Sequence, residues 1–433
     1  IVTDEFDDTH VAKGMYENYS RKTNKMEKEK LVLAYSGGLD TSYSLKKLSQ
    51  ENYEVHAVSV NTGGFSIEEI DTIEKKAYEM GAFTYKNINA LQAFYDQIVK
   101  YLIFGNVLKN NTYPLSVSAE RIIQAVEIVH YAKSIKAKYI AHGSTGAGND
   151  QVRFDLIFQI LAPEVEIITL IRDQQLSRED EIAYLKSQGI DVPWEKAKYS
   201  INQGLWGTSV GGAETLTSNE ALPDSAYPSS LTKTTPEDLE LEFKSGELIA
   251  VNGQSGTPIA LIQQLQELAK GFAIGRDIHV GDTIIGIKGR VGFEAAAPLL
   301  IIKAHHLLEK HTLSKWQQHQ KEQLASFYGM QLHEGQYLDP VMRDMEAFLE
   351  NSQKKVSGTV FLKLHPYRFE LLGIASPHDL MQAEFGSYGE MNKGWTADEA
   401  KGFIKLTANA SKIYQHLNKN RGPGNRLYRT WRY

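Results

Sequence analysis

Three features predict an α/β fold that opens with a doubly wound parallel sheet and continues as an α+β region. Short apolar runs end in glycine-bearing turns, apolar residues at helical spacing lie between them, and this alternation stops near Asp191. LVLAY (Leu31 to Tyr35) and VHAVSV (Val55 to Val60, closed by NTGG) have the length and apolarity of buried parallel strands. Ile67, Ile70, Ile73, Ala77 and Met80 recur at helical spacing with Glu68, Glu69, Glu74 and Lys75 on the other face, which reads as a helix lying over a sheet. A second helix carries Leu91, Phe94, Tyr95, Ile98 and Leu102. A third carries Ile122, Ala125, Val126, Val129 and Ala132 and leads into the strand YIAH (Tyr139 to His142). EIITL (Glu166 to Leu170) is a further strand, and the helix after it has a capping pair, Ser177 and Asp180, and stops at Gly189. Ligands of such a sheet sit beyond the carboxyl ends of its strands, so the strand-to-helix loops carry the interest.

From about residue 195, LELEFKSGELIAVNG, DTIIGIKG and VFLKLHPYRFELLGIA read as strands and Ile259 to Lys270 as a helix, no longer in strict alternation. A last helix spans about Ala397 to Leu417. The expected organisation is a mobile extension over 1–28, a nucleotide-binding domain over 29–193, a second, α+β domain over 194–385, and a C-terminal helix with a basic tail over 386–433.

At 433 residues the chain exceeds the roughly 250–300 at which one core stops growing, so two or more domains are expected. No apolar run approaches the roughly 18 residues of a membrane span. Zero cysteines exclude a disulfide scaffold, a thiolate metal site and any thiol or persulfide nucleophile in this chain. The first eight residues are acidic with no apolar stretch of signal type after them, and a net charge of −6 offers nucleic acid no global attraction, so a cytoplasmic protein of small-molecule chemistry is expected. Beyond Glu399 only basic charges occur: Lys412, Lys419, Arg421, Arg426, Arg429 and Arg432 gather among Tyr428, Trp431 and Tyr433. Such a tail can meet RNA or anionic lipid; here it reads as a solvated tail or a subunit-wrapping arm.

Two loops carry the chemistry. In AYSGGLDTSYSLKKL a strand delivers Ser36, Gly37 and Gly38 into a tight turn, and a helix continues from Thr41 and Ser42. Backbone N–H groups and the positive helix end there suit a phosphate. No Lys-Ser/Thr ending of the Walker type is present, and Asp40 beside an anion calls for Mg²⁺ between them. In IAHGSTGAGNDQVRFDL the residues Gly143, Gly146 and Gly148 permit close approach, while Ser144, Thr145, Asn149, Asp150 and Arg153 are polar. Arg153 suits a bidentate grip on a carboxylate or phosphate, and Asp150 an ammonium group.

SGGLDTS resembles the pyrophosphatase loop of N-type ATP pyrophosphatases, and HGSTGAGNDQVRF resembles the second signature of the argininosuccinate synthase family. TYPLSVSAER, LAPE, YSINQGLWGTSVGG, GRDIHVGDTIIGIKGRVGFEAAAP, EGQYLDPVMRDMEAFL and WTADEAKGFIKL have counterparts in the same order, over roughly residues 29 to 417. The resemblance implies a ligase that joins citrulline to aspartate through citrullyl-AMP, with ATP as co-substrate, Mg²⁺, and a homotetramer. It implies that ATP lies along Ala34, Tyr35, Ser36, Gly37, Gly38, Leu39, Asp40, Thr41 and Ser42 and against Gly143, Gly146 and Gly148, with adenine near Val60. Aspartate is then expected at Thr145, Asn149 and Asp150, and citrulline at Tyr113, Ser118, Asn149, Arg153, Ser200, Ser209 and Phe293. Asp40, Asp150 and Arg153 are the expected catalytic residues.

The chain departs from the family where a lysine, a glutamate and a tyrosine are usual and Ala147, Gly281 and Phe293 stand instead. Asp282 or Glu294 is the expected substitute carboxylate for citrulline's ammonium. His305, His306 and His311 suggest a metal, but spacing sets His306 beside Glu309 with no third ligand, so they read as surface or interface histidines, and no metal-ligating residues are expected from them. The rivals are another ATP pyrophosphatase adenylating a different carbonyl substrate, or a non-catalytic nucleotide- or RNA-binding protein. Membrane partners are not expected, and nucleic acid is disfavoured.

Overall fold

The computed structural model describes residues 28–191, 198–382, 389 and 394–419. The extension expected before Lys28, most of the DVPWEK segment and the tail beyond Lys419 lie outside the described residues. The chain divides into two units, up to His378 and from Asp379 onward, so the expected boundary at 193/194 falls within the first.

The first sheet forms as the apolar runs predict. β1 (Glu29–Ala34), α1 (Leu39–Ser49), β2 (Tyr53–Asn61), α2 (Ile67–Met80) and β3 (Thr84–Asn89) follow in sequence. α2 starts with a capping box of Ser66 and Glu69 and ends on left-handed Gly81. The predicted second helix is α3 (Leu91–Phe94), a π turn (Tyr95–Val99) and α4 (Lys100–Phe104). Then come α5 (Ser116–Ser134), β4 (Tyr139–Ala141), α6 (Asp150–Leu161), β5 (Glu166–Ile168), α7 (Leu170–Asp173) and α8 (Arg178–Ser187), the last opened by the Ser177/Asp180 capping box. All five strands pair in parallel, in the order β3-β2-β1-β4-β5. β3 escapes sequence reading because TYKNIN lies at the sheet edge with no fully buried side chain, so it has no apolar run.

Two antiparallel sheets follow, as an α+β region requires. β6 (Ser200–Gly204) and β7 (Gly207–Gly211) form a hairpin. β8 (Glu237–Lys244), β9 (Glu247–Val251), β10 (Gln254–Ser255) and α9 (Pro258–Lys270) precede β11 (Arg276–Asp282) and β12 (Lys288–Glu294). Next are α10 (Ala296–Thr312), α11 (Lys315–His333), α12 (Pro340–Ser352), β13 (Gly358–His365) and β14 (Arg368–Ala375). The sheet orders are β10-β9-β8-β13-β14 and β11-β12-β7-β6. DTIIGIKG, expected as a strand, is mainly the turn between β11 and β12: Asp282 and Lys288 end the strands, and Gly286 has φ +83°. Its apolar Ile285 and Ile287 are exposed, so the apolarity that suggested a strand does not reflect burial.

The histidine reading also needs correction. His305 is fully buried, bonded through Nδ1 to Asn106 and through Nε2 to Gln353, and it faces Glu309 one turn on. His306 instead approaches Glu322. In the second unit the predicted last helix is two, α13 (Ala397–Thr407) and α14 (Asn409–Lys419), and Phe403, Ile404, Leu406, Ile413, Tyr414 and Leu417 on them are all exposed.

Candidate active site

In a sheet ordered 3-2-1-4-5 the chain leaves β1 and β4 in opposite directions, and the crevice at their carboxyl ends is the usual ligand position. The SGGLDTS and HGSTGAGND loops flank that crevice. They touch: a Cβ built on Gly143 would lie 3.1 Å from both Asp40 Cβ and Thr41 Cγ2, so the glycine lets the second loop close on the first.

In the first loop Gly37 takes φ +75°, a conformation side chains resist, whereas Gly38 has φ −72° and caps α1 without any side-chain hydrogen bond. The first N–H groups of α1 therefore have no side-chain cap from Gly38, the kind of helix start that suits an anion. Ser36 Oγ and Thr41 Oγ1 lie 3.3 Å apart and brace the turn. Leu39, Ser42 and Tyr35 point inward and are buried, so only their backbone is available to a ligand; burial pushes the Tyr35 phenol up to about 12. Val60 is likewise buried in the core.

Two groups that no local pattern in the sequence revealed complete this loop. Lys76 reaches from α2 to donate to Gly37 O at 2.6 Å, and burial lowers its pKa. The Glu181 carboxyl of α8 faces that of Asp40; burial, then the Asp40 charge, push Glu181 up to about 8, and its Oε2 has no hydrogen-bond partner. Two neighbouring carboxyl groups whose charges oppose each other suit a divalent cation between them.

The second loop is held from below. His142 bonds Asp155 at 2.7 Å and accepts the Ser144 N–H, Arg172 bonds the other Asp155 oxygen at 2.7 Å, and Gln151 donates to Gly146 O at 2.6 Å. Thr145, Gly146 and Ala147 remain exposed, and Gly148 is half-buried. Asn149 Oδ1 accepts the Ile284 N–H at 2.8 Å, which ties the β11–β12 turn to this loop.

Asp150 lies between two guanidinium groups, Arg121 Nε and Arg153 Nη1, each at 2.9 Å. Burial works to raise its pKa, but the two cations outweigh it and hold the carboxyl below the usual range. Arg153 corrects an expectation. Its Nε and Nη2 donate to His333 O at 3.0 and 2.8 Å, and Nη2 also bonds Ser118 Oγ at 3.1 Å. It is 3% exposed, so its fork is spent on the protein and cannot grip a ligand edge-on.

One face of the β11-β12-β7-β6 sheet gathers most of the residues expected for citrulline. Cross-strand partners share a face, and Ser209 pairs with Asn202 on one side and Phe293 on the other, with Ser200 two residues from Asn202. Phe293 is fully buried with its ring 5.3 Å from that of Tyr113, whose hydroxyl accepts from Ser116 Oγ and Val117 N. His279, on the same face, stacks on Tyr113 at 5.2 Å; burial, then Lys109, lower its pKa. A Cβ on Gly281 would lie 2.7 Å from His279 Nε2, so the imidazole fills the place next to Gly281. Neither expected substitute carboxylate is spare. Glu294, on the opposite face by alternation, is buried against Arg276 at 2.9 Å and Ser229 at 2.8 Å, and Asp282 pairs with Lys288 at 2.6 Å.

A parallel sheet with two glycine loops meeting at its switch point, one of them SGGLDTS, defines a nucleotide-binding enzyme of the ATP pyrophosphatase class. The chain belongs to the argininosuccinate synthase family: residues 30–191 match its model described as "Arginosuccinate synthase N-terminal HUP domain" and residues 199–414 that of "Arginosuccinate synthase C-terminal domain". It is 36% identical over 396 residues to an argininosuccinate synthase of Methanocaldococcus jannaschii, covering 90% of this chain and 99% of that protein. It is 36% identical over 402 residues to that of Xanthomonas campestris pv. campestris, covering 91% and 100%, and 36% over 393 residues to that of Dictyoglomus turgidum, covering 90% and 98%.

Proposed function

We propose that the chain joins citrulline to aspartate at the expense of ATP, yielding argininosuccinate, AMP and pyrophosphate. The observation that carries this reading is the close approach of Gly143 to Asp40 and Thr41, which supports reading the two loops as one polyphosphate site. The ureido oxygen attacks the α-phosphorus and pyrophosphate leaves, giving citrullyl-AMP. The aspartate amine then adds to the ureido carbon, AMP departs with the C–O bond electrons, and the amine loses its proton.

Chain residues supply binding and orientation. The N–H groups at the start of α1 and the backbone of Ala34 to Ser42 receive the phosphates, Lys76 adds a cation at this first loop, and Ala147 leaves the second loop without the lysine usual there. Gly143, Gly146 and Gly148 form the opposite wall, with adenine near Val60. Thr145, Asn149 and Asp150 hold aspartate, Asp150 taking its ammonium. Ser200 and Ser209 hold citrulline beside the Tyr113 and Phe293 rings, while Ser118 and Arg153 act by fixing Asp150 and the floor of the pocket. Asp40 and Glu181 would hold Mg²⁺, which supplies neutralisation of charge on the departing pyrophosphate.

Within the first unit we place the nucleotide-binding part at 29–193 and the synthetase part from 194. The exposed apolar residues of α13 and α14 support an arm, 386–433, that packs against further copies of the chain in a homotetramer. We place the reaction in the cytoplasm; no helix among the described residues is long and apolar enough to cross a membrane. The test is pyrophosphate release from ATP that depends on citrulline, followed by AMP and argininosuccinate only when aspartate is added. Release without citrulline would overturn the reading.

A further inference from the structure

Arg121 and its neighbour Glu120, consecutive residues of α5, both reach the strand β6. The Arg121 guanidinium has three partners at 2.9 Å: Nε donates to Asp150, Nη1 to Gln124 and Nη2 to Asn202. The Glu120 carboxyl, two residues along β6 from Asn202, fills the space beside Gly204. The same end of β6 is docked onto the NTGG turn after β2. A Cβ on Gly64 would lie 1.9 Å from Gln203 O, and Leu205 N–H donates to Thr62 O at 3.0 Å. Gln124, itself held by Arg121, reaches Thr62 Oγ1 at 3.4 Å.

A single guanidinium thus bonds the carboxylate expected to take the aspartate ammonium and the side chain that lies directly across from Ser209. Asn202 and Ser209 are cross-strand partners, and Ser200 lies two residues back on the same face. The fork geometry matters. A planar guanidinium can hold two acceptors at opposite ends in fixed relation, whereas a lysine ammonium on the same stem is a point charge that cannot.

We propose that Arg121 is a positioning residue that couples the two amino-acid subsites, setting Asp150 and the β6–β7 strands in one geometry so that the aspartate amine and the ureido carbon are held at a fixed separation. The proposal rests on the assignment above of aspartate to Asp150 and citrulline to Ser200 and Ser209. It touches neither substrate; it acts through Asp150 on one side and Asn202 on the other. Two amino acids that must meet within bonding distance gain most from such a link, because small misplacement of either costs rate steeply.

The test is steady-state pyrophosphate release by the full chain at saturating ATP, with citrulline and aspartate varied in turn, for wild type, Arg121→Lys, Asn202→Ala, Asn202→Asp and the Arg121→Lys/Asn202→Ala double variant. Arg121→Lys is expected to raise both KM values at least fivefold. Asn202→Ala should raise the citrulline KM by a similar factor, Asn202→Asp should restore it to within threefold because the acceptor oxygen is kept, and the double variant should be no worse for citrulline than the worse single one. A residue that only stabilises the fold would lower kcat and Tm and leave both KM values unchanged. KM values within twofold of wild type in Arg121→Lys, or additive citrulline effects in the double variant, would overturn the coupling. Should Arg121→Lys not fold, the Asn202 pair decides: an indifferent Asn202→Ala overturns the proposal. Wild-type protein that releases no pyrophosphate with both amino acids present would instead overturn the assigned reaction.

Discussion

Glu120 Oε1 stands 1.5 Å from where a Cβ on Gly204 would be. The glycine is thus the space into which a buried carboxyl packs. Gly204→Ala is expected to cost roughly 1–3 kcal/mol as overpacking, and shortening the partner in Glu120→Ala/Gly204→Ala should return much of it. Urea midpoints of the four proteins in this cycle measure the coupling; additive effects would mean that the carboxyl swings aside freely.

The same carboxyl makes stability depend on pH. Burial, against the pull of Arg121, raises Glu120 to about 8 from an ordinary 4.5, so it folds as the neutral acid. A folded pKa above the unfolded one gives stability that is full below the ordinary glutamate range and is lost as pH rises through about 8. Between pH 6 and 9 the wild type should lose stability with a slope of up to about 1.4 kcal/mol per pH unit for each such group, and Glu120→Gln should flatten the curve, leaving the part due to Glu181. Equal slopes in both proteins would show that Glu120 is ionised in the folded state.

Gly37 and Gly38 look alike in sequence and behave differently here. Gly37 has φ +75° and a built Cβ 3.3 Å from Ile73, whereas Gly38 has ordinary φ and meets only Ser36 Oγ, at 3.3 Å. Gly37→Ala is therefore expected to lower Tm by the equivalent of about 1 kcal/mol or more, while Gly38→Val should leave Tm nearly unchanged and abolish pyrophosphate release by crowding the phosphates. Thermal melts beside the release assay separate the two. Normal turnover by Gly38→Val would remove ATP from this loop.

Phe293, on β12, is fully buried with its ring against that of Tyr113, so an added hydroxyl has little room. Phe293→Tyr is expected to change the citrulline KM by no more than about tenfold, the scale of one ordinary hydrogen bond, and Ser209→Ala by at least as much. If Ser209→Ala binds citrulline as well as the wild type does, the substrate lies elsewhere on this sheet face.

By itself the sequence determined the fold class, both glycine loops and the residues along them. In a parallel sheet the strand, the phosphate-facing turn and the helix that follows are contiguous, so SGGLDTS and HGSTGAGND carry their geometry in their own order. Apolar runs marked β1, β2 and β4 because those strands are buried on both faces. TYKNIN did not stand out because an edge strand needs no such run, and DTIIGIKG misled because two of its isoleucines, Ile285 and Ile287, lie exposed on a turn. Only the tertiary structure decided what meets across the crevice. Lys76 reaches Gly37 across 39 positions and Asn202 joins Arg121 across 81, separations at which no periodicity survives. It also decided that Arg153 spends its fork on His333 and Asp150, that Glu294 belongs to Arg276, and that His279 stands beside Gly281. Each is a matter of burial and hydrogen-bond competition: a residue type states what a side chain can bind, and the packed neighbours settle which partner it has already bound.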